Sequence, residues 1–224
     1  VFTFGTGRSA VPFESIATEG AFPKPLLDPH CDVVALPYSS GTTGLPKGVM
    51  LTHASLVANI QQIQAVERTS SDEVLIATLP FYHIYGMVVV MMAGFRAGAT
   101  IVTMPRFEVR TFLKVIQEHH VTRAYVVPPL VRTLAKHPLV DRYDLSSLRD
   151  VISGGAPLPE SLARLCAQRN QCVVRQLYGL TECSPVTHIS PRNAPRNNSV
   201  GIVVPNSEFR IVDVAHRKDV PVGQ

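Results

Sequence analysis

The apolar positions of this 224-residue chain fall into short runs separated by segments of helical spacing. From His53 to Val66 the apolar residues Leu56, Ile60 and Ile63 recur at intervals of three and four, which predicts an amphipathic helix. Val74 to Ala77 is a continuous apolar run of strand length, and Ile84 to Phe95 is apolar on all sides and reads as a buried helix. The alternation continues with a strand over Thr100 to Thr103, a helix over Arg110 to His119 and a strand over Thr122 to Val127. It ends with helices over Pro129 to Ala135 and Glu160 to Gln168 and strands over Val151 to Ser153 and Cys172 to Arg175. Buried strands alternating with helices predict an α/β fold with a mainly parallel sheet flanked by helices.

Ahead of this pattern, residues 1–30 hold Pro23, Pro25 and Pro29 in a turn-rich stretch and are expected to form an irregular connection. Residues 31–224 are expected to form the core. A short apolar strand, Val33 to Leu36, should lead into Tyr38-Ser39-Ser40-Gly41-Thr42-Thr43-Gly44-Leu45-Pro46-Lys47-Gly48, with Val49 to Leu51 as a strand after it. Glycines let backbone N–H groups turn toward an anion, Ser and Thr hydroxyls donate to phosphate oxygens, and Lys47 adds a compact positive charge. The stretch therefore reads as a cradle for a triphosphate. It is not a P-loop, because Lys47 stands between Pro46 and Gly48 and no helix follows.

Composition narrows the function. An apolar fraction of 46% with 17% charged residues is that of a globular protein, and the net charge of +4 suits an anionic nucleotide without any Lys/Arg run that would bind nucleic acid. The longest apolar run is too short for a membrane span. Cys31, Cys166, Cys172 and Cys183 lack metal-binding spacing and are expected to be free thiols in a reducing compartment.

Two further stretches carry candidate chemistry. Ser153-Gly154-Gly155-Ala156-Pro157 places small residues at the carboxyl end of a strand, where a flat ring can lie on the backbone. Gln176-Leu177-Tyr178-Gly179-Leu180-Thr181-Glu182 offers an aromatic ring, a hydroxyl and a carboxylate suited to a base, a phosphate and Mg²⁺. Taken singly, Tyr178 also reads as a core aromatic, Glu182 as a carboxylate at a helix start, and His83 as a hydrogen-bonded core histidine.

The phosphate stretch and the Tyr178 motif together resemble the adenylate-forming enzymes, which include acyl-CoA synthetases, 4-coumarate–CoA ligases, luciferases and peptide-synthetase adenylation domains. The likeness runs from about Asp32 to Gln224. Val126-Val127-Pro128-Pro129 and Tyr143-Asp144-Leu145-Ser146-Ser147-Leu148-Arg149 are similar to 4-coumarate–CoA ligases in particular. The resemblance implies part of a large N-terminal domain and an ATP- and Mg²⁺-dependent carboxylic acid–CoA ligase. By that likeness Lys47, Thr181, Glu182 and His83 are catalytic, with Glu182 on the metal. ATP would lie on Ser39, Ser40, Gly41, Thr42, Thr43, Gly44 and Lys47, and on Gly155, Ala156, Pro157, Gln176, Tyr178, Gly179 and Thr181. The acid would lie against His83, Tyr85, Val89, Gly155, Leu177, Pro185 and Val186, and Arg106 would contact coenzyme A.

Leu177 stands where the 4-coumarate–CoA ligase group has glycine, and Val89 where it has serine. Both a hydroxycinnamate and an aliphatic acid therefore remain open as substrate. Family members run to more than twice this length, so the chain is expected to be an internal portion. A ribose-binding Asp, a hinge and a lysine on a mobile C-terminal domain would lie beyond Gln224, and the chain alone is expected not to complete the reaction. A cytoplasmic location is expected, with a peroxisomal one left open. A carrier-protein-loading adenylation domain and a non-catalytic nucleotide-binding module are the alternatives.

Overall fold

The computed structural model describes residues 2–3, 11–12, 15, 26–39, 44–196 and 198–221. Near the start, β1 (Phe2–Thr3) pairs with β2 (Val11–Pro12). Two small antiparallel ribbons follow, made by β3 (Val33–Ala35), β4 (Tyr38–Ser39), β5 (Lys47–Gly48) and β6 (Leu51–Thr52). β3 pairs with β6 and β4 with β5. Of the expected Val49–Leu51 strand only Leu51 lies in a strand, β6, with Val49 and Met50 linking the two ribbons, and the Val33 strand lies on an exposed ribbon.

Helix α1 (His53–Glu67) starts on Thr52, whose hydroxyl accepts the Ser55 N–H at 3.3 Å, an ordinary N-cap. The alternation then runs β7 (Val74–Ala77), a helical passage, β8 (Thr100–Thr103), α3 (Val109–Glu118), β9 (Arg123–Val126) and α4 (Pro128–Lys136). The passage between β7 and β8 is a wide π-helix over Tyr85–Met92 that continues into α2 (Ala93–Ala97). The buried helix expected there is present, with its first part wound wide. The β-branched run Val88 to Val90 is poor α-helix, and it is buried on every side, so packing sets its form. Glu108 caps α3 by accepting the Arg110 and Thr111 N–H groups, and its hydrogen bonds to Thr111 hold its carboxyl below the usual range.

The chain continues through β10 (Asp150–Ser153), α5 (Glu160–Asn170), β11 (Val173–Gly179), β12 (Val186–Ile189) and β13 (Ile202–Val203). One seven-stranded sheet has the order β13-β12-β11-β10-β9-β7-β8. From β11 to β8 every pair is parallel, and β12 and β13 add antiparallel at the other edge. Strand β11 runs through Gly179, so Gln176 to Gly179 form its end instead of following it.

Alternate residues of the strands enter two cores. Ala124, Val126, Val151 and Val174 pack under α3, α4 and α5, whereas Leu75, Tyr125, Ile152 and Leu177 pack under α1 and the π-helix. After β7 the chain crosses outward to β8, then returns on the opposite face to β9. Neighbouring β7 and β9 therefore mark the switch point of the sheet, and ligand crevices form at the carboxyl ends of strands there.

A second feature holds α1 to the sheet. Arg123 on β9 and Arg175 on β11 project to the α1 side, where Glu67, Asp150 and Glu73 meet them fully or largely buried. Arg175 donates to both Glu67 oxygens at 2.6 Å and to both Asp150 oxygens at 2.8 and 2.6 Å. Arg123 donates to Glu67, Glu73 and Thr69. Burial pushes the Glu73 carboxyl up, partly offset by Arg123 and Arg192.

Candidate functional site

The carboxyl ends of β10 and β11, the segment after β7 and the β4–β5 ribbon enclose a cleft of about 670 Å³. Ser39, Lys47, His83, Gly155, Thr181 and Glu182 line its polar part. Tyr85, Leu177, Pro185 and Val186 line its apolar part. A second cavity of about 560 Å³ takes Ala156, Pro157, Gln176 and Tyr178, and it shares Gly155, Leu177 and Gly179 with the first. Two neighbouring spaces, one polar at its mouth and one flanked by a tyrosine ring, can hold the two halves of a nucleotide beside a second substrate.

A side-chain bond joins the ribbon to the sheet. Ser39 Oγ donates to Glu182 Oε1 at 3.1 Å, joining β4 to the short turn Thr181–Cys183 that follows β11. His83 is oriented by its own segment: its Nδ1 accepts the Tyr85 backbone N–H at 3.2 Å. A ring nitrogen that accepts is unprotonated, so a neutral His83 carries its proton on Nε2.

Tyr85 is buried, and its hydroxyl lies 3.1 Å from the Ile152 carbonyl and 3.4 Å from the Val126 carbonyl. Burial holds its pKa well above the usual tyrosine value, so it remains a donor to the backbone of β10 and presents its ring to the cleft. Gln176 is similarly tied, its Oε1 accepting the Leu158 N–H at 3.0 Å.

Two glycines are required by packing. A Cβ on Gly154 would lie 2.8 Å from Leu177 Cδ1 and 3.0 Å from the Tyr85 ring, so Leu177 occupies the space that this glycine leaves. A Cβ on Gly179 would run into the Pro185 carbonyl oxygen, where the chain returns along the cis Ser184–Pro185 peptide. Substitution Gly179→Ala is expected to lower the urea midpoint by an amount equal to about 1–3 kcal/mol with the m-value unchanged.

Ser40, Gly41, Thr42 and Thr43 lie outside the described residues, and Gly44, at φ 87°, begins the described part beyond them. Val89, on the π-helix, is buried in the core and does not line either cavity. Arg106 is exposed on the loop before α3 and is likewise outside both. Tyr38, Ile84 and Leu180, which lie within or beside the candidate stretches without an assigned role, line the first cavity, and Asn198, Ser199 and Val200, not expected from sequence, line the second. The signal for Asn198 to Val200 was absent, because they join the site only through the β12–β13 pairing. Among the described residues no group of three or more His, Cys, Asp or Glu side chains could hold a metal, and no helix is long and apolar enough to cross a membrane.

A family profile described as AMP-binding enzyme matches residues 8–224. The chain belongs to the AMP-binding enzyme family. This AMP-binding chain is 43% identical over 221 residues to 4-coumarate–CoA ligase 2 of Oryza sativa subsp. japonica, a match spanning 93% of this chain and 39% of that protein. It is also 43% identical over 218 residues to 4-coumarate–CoA ligase 2 of Petroselinum crispum, covering 93% of this chain and 40% of that one. The chain thus spans about two fifths of the length of the curated relatives it matches. Among solved structures, the amide bond synthetase McbA from Marinactinospora thermotolerans superposes with a TM-score of 0.83 at 26% identity, over 100% of this chain and 45% of that one. An ATP-bound RpMatB-BxBclM chimera superposes with a TM-score of 0.81 at 29% identity, over 91% of this chain and 40% of that one. The AMP-binding family is thus matched in both sequence and fold.

Proposed function

We propose that the protein carrying this chain is an ATP-dependent carboxylic acid–CoA ligase. The observation that carries the reading is the meeting of Lys47, His83, Thr181 and Glu182 around one cleft in a chain of the AMP-binding family. A carboxylate is a poor acyl donor because its leaving group would be oxide. Its oxygen attacks the α-phosphorus of ATP, the bond to the bridging oxygen breaks, and pyrophosphate leaves an acyl-adenylate. The thiol of coenzyme A then adds to the acyl carbon and AMP departs.

The work of this chain is to position charge. Lys47, with Ser39 to Gly44, holds the phosphates, and Thr181 donates to the α-phosphate. Adenine lies in the cavity of Gly155, Ala156 and Pro157 with Tyr178 and Gln176 beside it, and the Nε2–H of His83 meets the acid carboxylate. The apolar wall of Tyr85, Leu177, Pro185 and Val186 takes the rest of the acid. Arg106 meets an anionic group of coenzyme A, and a further domain of the full-length protein completes the site.

Glu182, with Ser39 Oγ on its Oε1 and its carboxylate at the cleft, would hold a Mg²⁺ ion together with substrate phosphates. When bound, it neutralises charge that builds on the departing pyrophosphate.

Acid-dependent exchange of labelled pyrophosphate into ATP by the full-length protein tests the reading, using hydroxycinnamic, medium-chain and long-chain acids. Exchange with one acid class supports it, and absence of exchange with every acid overturns it. Because Leu177 fills the space against Gly154, Leu177→Ala is expected to raise kcat/KM for a ring-bearing acid relative to an aliphatic acid by about tenfold, an effect the ratio reports free of any stability loss.

A further inference from the structure

Tyr178 stands between two spaces. It lines the cavity beside Gly155 to Pro157 and also a groove of about 830 Å³ bounded by α1, β12 and residues 207–211. The residue is 51% exposed, so little of the core fixes the plane of its ring. Cross-strand from it, on β12, is His188, with ring centroids 6.1 Å apart and planes inclined at 57°. His188 meets Phe209 edge-on at 4.7 Å and 75°. All three rings fall within the distances at which aromatic pairs attract.

The backbone explains how this row forms. The register of β11 against β12 slips between Tyr178 and Gly179: Tyr178 faces His188, but Gly179 faces Val186. Thr187 is the extra residue, and a bulge of this kind re-aims neighbouring side chains. The Thr187 hydroxyl lies 3.3 Å from the Tyr178 carbonyl and 3.0 Å from His188 Nδ1. With its proton given to that carbonyl, the hydroxyl accepts from Nδ1–H, so the imidazole is linked to the backbone of Tyr178 as well as to its ring. Burial holds His188 below its ordinary pKa, which keeps the ring neutral near pH 7.

We propose that His188, backed by Phe209, is a positioning residue for the nucleotide: it sets the plane of Tyr178 on which adenine stacks. The proposal rests on the ATP reading above. In the full-length protein, His188→Ala is expected to raise KM for ATP about fivefold, while kcat and KM for the acid stay within about twofold of the parent. His188→Phe keeps a flat ring between Phe209 and Tyr178 and is expected to restore KM for ATP. A residue that only supported the fold would lower the apparent kcat through loss of folded protein and leave KM for ATP unchanged.

A second readout is independent of ligand. With ¹³C-labelled tyrosine rings, assigned through Tyr178→Phe, the Tyr178 resonance should move in His188→Ala without any nucleotide present. An unchanged resonance, or an ATP KM equally impaired in the alanine and phenylalanine variants, would overturn the proposal while the ATP reading stands. A parent protein that fails to bind ATP would overturn the ATP reading and this proposal with it.

Discussion

Truncation of Glu67 to alanine is expected to destabilise the protein by about 3–5 kcal/mol, although Glu67 lies outside both cavities. Glu67 ends α1 and accepts both Nη atoms of Arg175 at 2.6 Å, Arg123 Nη1 at 3.2 Å and the Tyr125 hydroxyl at 3.3 Å. Its removal leaves two buried guanidinium groups with Asp150 and Glu73 as their remaining carboxylates. Two guanidinium groups and two carboxylates remain in balance, so the cost comes from the buried N–H and O–H donors of Arg123, Tyr125 and Arg175 that lose their acceptor. Urea denaturation of the full-length protein measures it. A loss below about 1 kcal/mol in the single variant would contradict this account of how α1 is held.

The second large effect is chemical. Glu182→Gln keeps the shape of the side chain and an oxygen that can accept from Ser39, but removes the negative charge. On the proposed function it is expected to lower kcat for adenylate formation by about 10²–10³-fold, as loss of a single charge-stabilising group in an enclosed site does. KM for the acid should change little, and so should the urea midpoint, because Glu182 is exposed at a turn. Steady-state pyrophosphate release at saturating Mg²⁺ checks this. Retention of more than about a tenth of the parent rate would remove Glu182 from the chemistry.

The central part of the fold was legible because the strands from Val74 to Ser153 centre on short apolar runs between stretches of helical period, as the inner strands of a parallel sheet require; the edge strand β8 is only partly buried. The wide helix over Tyr85–Met92 was not, since periodicity cannot distinguish helix types in a segment apolar on every side. Nor was the length of β11: Tyr178-Gly179 reads as a loop motif, and only its pairing with β12 extends the strand over it.

The buried charges show the limit most plainly. Arg123, Arg175 and Asp150 each read alone as a solvated charge, and they become core residues through Glu67, which lies 56 residues from Arg123 and 108 from Arg175. No local pattern reports such a partner. In the candidate site, the residues from motifs at strand ends converge on the cleft because the ends of parallel strands share one edge of the sheet. Asn198 to Val200, carried in by an antiparallel return, and Val89, which faces the core, do not follow from that rule.

Isotope transfer tests the central claim most directly. The full-length protein would be given an acid labelled with ¹⁸O in both carboxylate oxygens, with ATP, Mg²⁺ and coenzyme A, and the products would be separated by mass spectrometry. Attack of the carboxylate on the α-phosphorus requires one ¹⁸O atom in AMP and none in pyrophosphate. Label in orthophosphate with formation of ADP, or unlabelled AMP, would contradict acyl-adenylate formation in the cleft of Lys47, His83, Thr181 and Glu182.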